Sequence, residues 1–199
     1  MNNEQPLHRK RVKHYDEPGH LHESTFSCYQ RRPLLTNDRW REMLAVAIER
    51  AIARHQYQLV AFVYMPEHVH LIVYPSTDTC EIQKLLKAIE RPFSFRIKRL
   101  LVESHSRLLA KLTVRQRPGA MTFRFWQEGP GYDRNLTEVT TALAAIDYVH
   151  LNPVRRGLVT QASDWRWSSA SWYADPHGPS DDVLPTVHGL SPEWVNQPH

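Results

Sequence analysis

Two histidines one residue apart, His68 and His70 in "MPEHVHLIVYP", stand at the mouth of an apolar run. A strand alternates its side chains, so both imidazoles share one face while Val69, Leu71 and Val73 take the other. Such positions lie roughly 6.5–7 Å apart along the chain, close enough for two imidazoles to converge on one ion. The same spacing suits two satisfied polar side chains on a solvated sheet face, so the pair needs a third group before it implies chemistry. No HExxH is present, and His20 and His22 repeat the spacing with no oily strand behind them. Two histidines completed by a hard oxygen donor and water suit Mg2+ or Mn2+ acting on phosphate.

The third group is sought in "LTEVTTALAAIDYVHLN". At 100° per residue Leu136, Val139, Leu143, Ile146 and His150 form one stripe, which is expected to face the core. Tyr148 falls about 140° from Leu143, among Thr141, Ala144, Ala145 and Asn152, and reads as a phenol free to reach outward. It is either an ordinary surface tyrosine or a nucleophile. A phenol with a pKa near ~10 attacks poorly until charge on the scissile group is neutralised, which is what a bound metal does. Asn152 follows Tyr148 by one helical turn, so its amide oxygen is a candidate third ligand. The alternative for Asn152 is a C-cap, because the next residue is proline.

The elements that must position these groups read as β-α-β-β-α-β-α. "HESTFSCYQ" (22–30) has strand composition, and Thr36, Asn37 or Asp38 can cap the helix "DRWREMLAVAIERAIARH", which keeps Trp40, Leu44, Ile48 and Ile52 at i, i+4 spacing. "YQLVAFVYM" is apolar on both faces, as in a central strand, and "VHLIVYP" returns as its hairpin partner. A helical region over about 80–110 is expected to break near Pro92, with a loop at 112–120 and a strand at "MTFRFWQ". "EGPGYDRN" reads as turn, and the tyrosine helix is expected to stop before Pro153. In "DWRWSSASWY", Trp165 and Trp167 are expected in a small aromatic cluster closing the core. This order predicts an α+β fold, a ferredoxin-like (RRM-like) antiparallel sheet with helices packed on one face. Residues 1–20 read as a basic polar arm and 174–199, with five prolines and no Lys or Arg, as a mobile tail.

Charge points to the partner. The chain has 199 residues, 41% of them hydrophobic, which suits one domain with a real core, and its net charge is +4. Residues 84–117 hold ten Lys or Arg against two Glu, the footprint of an anionic partner such as nucleic acid or of a basic solvated helix face. Arginine supplies 19 of the 25 basic residues, and guanidinium binds phosphate bidentately and stacks on bases. Arg31 and Arg32 end the first strand, Arg96 and Arg99 lie in the basic helix, and Arg124 sits between Phe123 and Phe125. Arg134, Arg155 and Arg156 flank the tyrosine helix. These eight are the candidate nucleic-acid contacts, although for each alone a surface ion pair is the simpler account. Two cysteines, no membrane span and no signal-type segment make a cytoplasmic location the expectation.

"MPEHVHLIV" resembles the HUH motif of the IS200-like Y1 transposases, in particular the REP-associated tyrosine transposases. "AIDYVHLNPVRRGLV" is similar to the family segment that carries the single catalytic tyrosine, and "RRPLLTND", "KAIERPFSFRIKRL", "FWQEGPGYDRN" and "DWRWSSASWY" extend the likeness over about 20–173. The resemblance implies an HUH endonuclease domain at 21–173, with a divalent metal, Mg2+ or Mn2+, held by His68 and His70. It implies that Tyr148 cleaves single-stranded DNA at hairpin-forming, REP-like palindromes, leaving a 5′-phosphotyrosine and a free 3′-OH that can rejoin. It also allows a monomer or a homodimer. Two other readings remain at this stage: a domesticated protein that binds a DNA or RNA hairpin without cutting, and an unrelated metal hydrolase, which leaves the Tyr148 helix unexplained.

Overall fold

The computed structural model describes residues 19–129 and 131–196, so the basic arm expected at 1–20 falls, but for its last two residues, outside the described residues. Helix α1, Asp38–His55, begins where the Asn37 side chain accepts the Trp40 backbone N–H at 3.2 Å, and it buries Leu44, Ile48 and Ile52 in one stripe. It ends on Gln56 in the left-handed conformation, which turns the chain into strand β2, Tyr57–Tyr64. Strand β3, His68–Pro75, returns antiparallel to β2, and strand β1, Leu21–Ser27, pairs with the other edge of β3. The first strand thus stops before Gln30, because Gln30 and Arg31 have positive φ (55° and 50°) and leave the ladder.

The fourth strand of the sheet is Tyr132–Leu136 (β6), not the expected "MTFRFWQ". Residues 120–123 instead form β5, Ala120–Phe123, which pairs with β4, Thr113–Arg117, in a separate two-stranded ribbon where a loop was expected. The sheet order β2-β3-β1-β6, antiparallel throughout, is that of a ferredoxin-like α+β fold. Gly131 brings β6 alongside β1: its φ is +67°, and a Cβ there would lie 2.5 Å from the Thr25 carbonyl oxygen.

Helices cover both faces. Helix α1 and helix α2, Ile82–Glu103, pack on the face of Val69, Leu71 and Val73, as the one-sided expectation requires. Helix α4, Val139–Arg155, lies against the other face, with Ala142, Ala145, Ile146 and Val149 on Ala61, Val63 and Ile72. A bulge between Leu59 and Ala61 shifts the alternation of β2, so Leu59, Phe62 and Tyr64 feed the first core while Val60, Ala61 and Val63 feed the second.

Both expected proline breaks are absent. Helix α2 runs through Pro92, which is exposed, because Leu85, Ile89, Phe93, Ile97 and Leu101 bury one unbroken stripe across it. The helical region breaks later, at His105 (φ 50°), before the short α3, Arg107–Leu112. Helix α4 likewise continues past Pro153, which is buried.

The chain after α4 packs against the sheet, including the described part, 174–196, of the segment read as a mobile tail. Tyr64 N–H donates to the Trp167 carbonyl (2.8 Å), Ser169 N–H to the Phe62 carbonyl (3.0 Å) and His188 N–H to the Leu59 carbonyl (2.8 Å), so residues 167–188 cover the open edge of β2. The short helices α5, Ala170–Ala174, and α6, Pro192–Val195, belong to this cover, and Trp194 is 1% exposed in the second core. Trp167 lies in the first core with Trp165 half-buried beside it, both under the Arg41 guanidinium, as an aromatic closure.

Candidate active site

The register of three strands and the seat of α4 build one cleft. Thr25 on β1 lies directly opposite His70 on β3, and Glu23 lies opposite Arg134 on β6. Side chains opposed across a ladder point to the same face, and here that is the face carrying α4. The cleft, of about 500 Å3, is lined by Glu23, Thr25, Arg31, His68, His70, Tyr132, Arg134 and Tyr148. A second cavity, of about 530 Å3, lies under the C-terminal cover beside Trp172 and holds none of these residues.

Both imidazoles are buried, and their Nε2 atoms lie 3.0 Å apart. The outer nitrogens are occupied: His70 Nδ1 is 2.8 Å from Thr25 Oγ1, and His68 Nδ1 is 3.2 Å from Glu67 Oε1. Because a carboxylate only accepts, it fixes the proton of neutral His68 on Nδ1 and leaves the Nε2 lone pair facing His70. The Thr25 hydroxyl can donate or accept, so it satisfies His70 in either tautomer. Burial, the neighbouring His68 and Arg31 hold the His70 pKa down to about 3. Burial also lowers His68, against the pull of Glu67 and with the push of Arg31 and Arg156.

Two neutral imidazoles with converging lone pairs fit a divalent ion. Two nitrogens at right angles, each about 2.1 Å from an octahedral ion, are about 3.0 Å apart. Among the described residues no group of three or more His, Cys, Asp or Glu has a metal-binding arrangement, so the remaining ligands would come from other oxygen donors, substrate or water. Asn152 is buried, donates its amide N–H to the Tyr148 carbonyl at 2.8 Å and does not line the cleft.

Tyr148 stands at the edge of the buried face of α4, 44% exposed, with its ring centroid 5.7 Å from that of His70. The expected stripe is corrected. Leu136 belongs to β6, Leu143 is 49% exposed, and the small Ala142 and Ala145 lie buried where the helix meets the sheet. The small side chains allow the close approach that brings Tyr148 over the histidines. The Arg155 guanidinium sits 4.9 Å from the Tyr148 ring centroid.

The candidate arginines divide. Arg31 and Arg134 line the cleft, Arg155 stacks on Tyr148, and Arg156 donates to Glu67 Oε1 at 2.8 Å. Arg32 bonds the Gln30 side chain, and Arg124 pairs with Glu128 at 2.7 Å, both away from the cleft lining. Arg96 and Arg99 are on α2, across the sheet from the histidines, and Arg99 pairs with Glu103 at 3.2 Å. Thr25, Glu23, Glu67 and Tyr132 belong to the site without having been singled out. For Glu67 a signal existed, a charged residue in the tight turn of an otherwise apolar hairpin.

The site thus combines a ferredoxin-like sheet, a histidine pair on one strand and a tyrosine on the helix above it. Residues 20–129 match the family model of IS200-like transposases, and the chain belongs to that family. The matched span contains His68 and His70 and ends before α4. Among solved structures, a REP-associated tyrosine transposase bound to a REP hairpin aligns over 92% of this chain and 98% of its own, with 20% identity and a TM-score of 0.66. A candidate transposase from Deinococcus radiodurans R1 aligns over 70% of this chain and 94% of its own, at 18% identity and a TM-score of 0.43. No curated protein matches the chain. No helix among the described residues is long and apolar enough to cross a membrane.

Proposed function

We propose that this transposase-family protein is a Y1-type single-strand DNA endonuclease and strand transferase acting on hairpin-forming, REP-like palindromes. The observation that carries the reading is the meeting of Tyr148, His68 and His70 in one cleft of one chain. The Tyr148 oxygen attacks the scissile phosphorus, the new P–O(Tyr) bond replaces the P–O3′ bond, and the phenolic proton is lost as the departing 3′-oxygen gains one. The product is a 5′-phosphotyrosine and a free 3′-OH, and the reverse attack by a 3′-OH rejoins the strand without a nucleotide cofactor. A divalent ion, Mg2+ or Mn2+, held by His68 and His70 would neutralise charge building on the phosphate. Arg31 and Arg134, which line the cleft, would offer guanidinium donors to backbone phosphates, Arg134 while also paired with Glu23 at 2.6 Å. The hairpin carried by the structurally similar REP-associated transposase supports the choice of substrate class.

The test is a covalent adduct. Incubation with Mn2+ or Mg2+ and a labelled single-stranded hairpin oligonucleotide should give a protein–DNA species on a denaturing gel, and Tyr148→Phe should abolish it. His68→Ala and His70→Ala should each lose cleavage while keeping most hairpin affinity, since phosphate contacts dominate binding. An adduct that persists in Tyr148→Phe removes the nucleophile. Tight hairpin binding with no adduct under either metal replaces this reading with that of a non-cleaving hairpin binder.

A further inference from the structure

Glu67 occupies the turn between β2 and β3, directly before the histidine pair, and only 6% of it is exposed. Three donors converge on its Oε1: His68 Nδ1 at 3.2 Å, Arg156 Nη1 at 2.8 Å and Arg31 Nη2 at 3.5 Å. Its backbone is pinned as well, since the Glu67 carbonyl accepts Cys28 N–H at 2.9 Å and the Pro66 carbonyl accepts Leu35 N–H at 2.8 Å. A buried carboxylate with this many partners is costly to install and must be held charged. Arg156, at the C-cap of α4, and Arg31, in the turn after β1, come from separate parts of the chain to do so.

We propose that Glu67 is a positioning residue of the metal site, a carboxylate that fixes the tautomer and ring orientation of His68 and is itself held by Arg156 and Arg31. The inference rests on the metal-binding reading of His68 and His70. An imidazole can turn about its bond to Cβ and carry its proton on either nitrogen. The contact to Glu67 removes both freedoms, leaving the Nε2 lone pair aimed at His70 Nε2 before any ion arrives. Outer-sphere carboxylates of this kind raise ligand basicity, and their loss typically weakens metal binding by about 10–100-fold. Glutamine at the same place still accepts from Nδ1–H but brings no charge, so it separates orientation from electrostatics.

Mn2+ binding, followed by the EPR signal of the free aquo ion during titration, tests this without recourse to cleavage. Wild type and His68→Ala set the two limits. Glu67→Ala should bind Mn2+ about 10–100-fold more weakly than wild type, and Glu67→Gln should fall between them. Circular dichroism checks the fold of each variant, and should Glu67→Ala fail to fold, the near-isosteric Glu67→Gln carries the test. If both Glu67 variants bind as wild type does while His68→Ala loses binding, Glu67 has no positioning role. If His68→Ala itself binds as wild type does, the metal reading fails first and this inference falls with it.

Discussion

Tyr148 is held by two contacts of different kind, the edge-to-face His70 ring and the Arg155 guanidinium. A cation over the face of an exposed phenol contributes about 0.5–1 kcal/mol, which here holds the ring in place. Arg155→Ala should therefore slow single-turnover adduct formation at saturating DNA by about 2–5-fold, a loss far smaller than that of Tyr148→Phe. A rate equal to wild type would show that the stack does not assist Tyr148. At this scale the three side chains that meet in the cleft were legible in the sequence, because strand and helix periods depend only on local spacing. Their partners were not. Thr25 meets His70 only through the register of β1 on β3, and the Arg156 contact to Glu67 joins residues whose proximity depends on how α4 crosses the sheet.

Among the elements, misreadings came where tertiary packing outweighed local propensity. Strand β6, "YDRNL", has the composition of a turn, yet it forms the edge of the sheet where polar side chains tolerate solvent. The apolar "MTFRF" looked more like the strand and instead forms part of the outlying ribbon. Proline deceived in α2 and α4, because a buried stripe can carry a helix through one missing hydrogen bond. Pro92→Ala restores a donor for the Ala88 carbonyl at an exposed position, so it should stabilise the protein by about 1–3 kcal/mol in urea unfolding. No gain would mean that α2 has already adapted its backbone around the ring. Trp194→Ala tests the C-terminal cover in the other direction. The indole fills the second core and donates to the Gly19 carbonyl at 3.0 Å, and its removal should cost about 3–5 kcal/mol. A loss below about 1 kcal/mol, the level of an ordinary surface substitution, would contradict that packing.

For the whole molecule, buried histidines on both faces of the sheet set how stability follows pH. His22, on the α1–α2 side, has Nε2 3.0 Å from Cys80 Sγ and Nδ1 3.6 Å from Asp133 Oδ1. Burial alone would lower its pKa, but its interactions with Asp133 and Cys80 outweigh burial and raise it to about 9. The folded state therefore holds this proton more tightly than the unfolded chain, whose histidine titrates near ~6.5. That contribution is complete below about pH 6.5 and is lost as pH rises through about 9. On the α4 side the sign reverses: burial lowers His70 to about 3 and His150 to about 4. Their contribution is present above about pH 6.5 and is lost as pH falls toward those values, because the unfolded chain takes up protons that the folded one refuses. Glu90, pushed up to about 7 by burial despite Arg91, opposes this acid arm between about 4.5 and 7 without matching two histidines. Stability should thus peak near pH 6.5 and decline on both sides, with denaturant midpoints from pH 4 to 9 as the measurement. His22→Gln should flatten the decline between pH 6.5 and 9 and leave the acid side as it was. An alkaline decline of undiminished slope in His22→Gln would take that proton away from His22, and a wild-type midpoint still climbing from pH 7 to 9 would reject the assignment altogether.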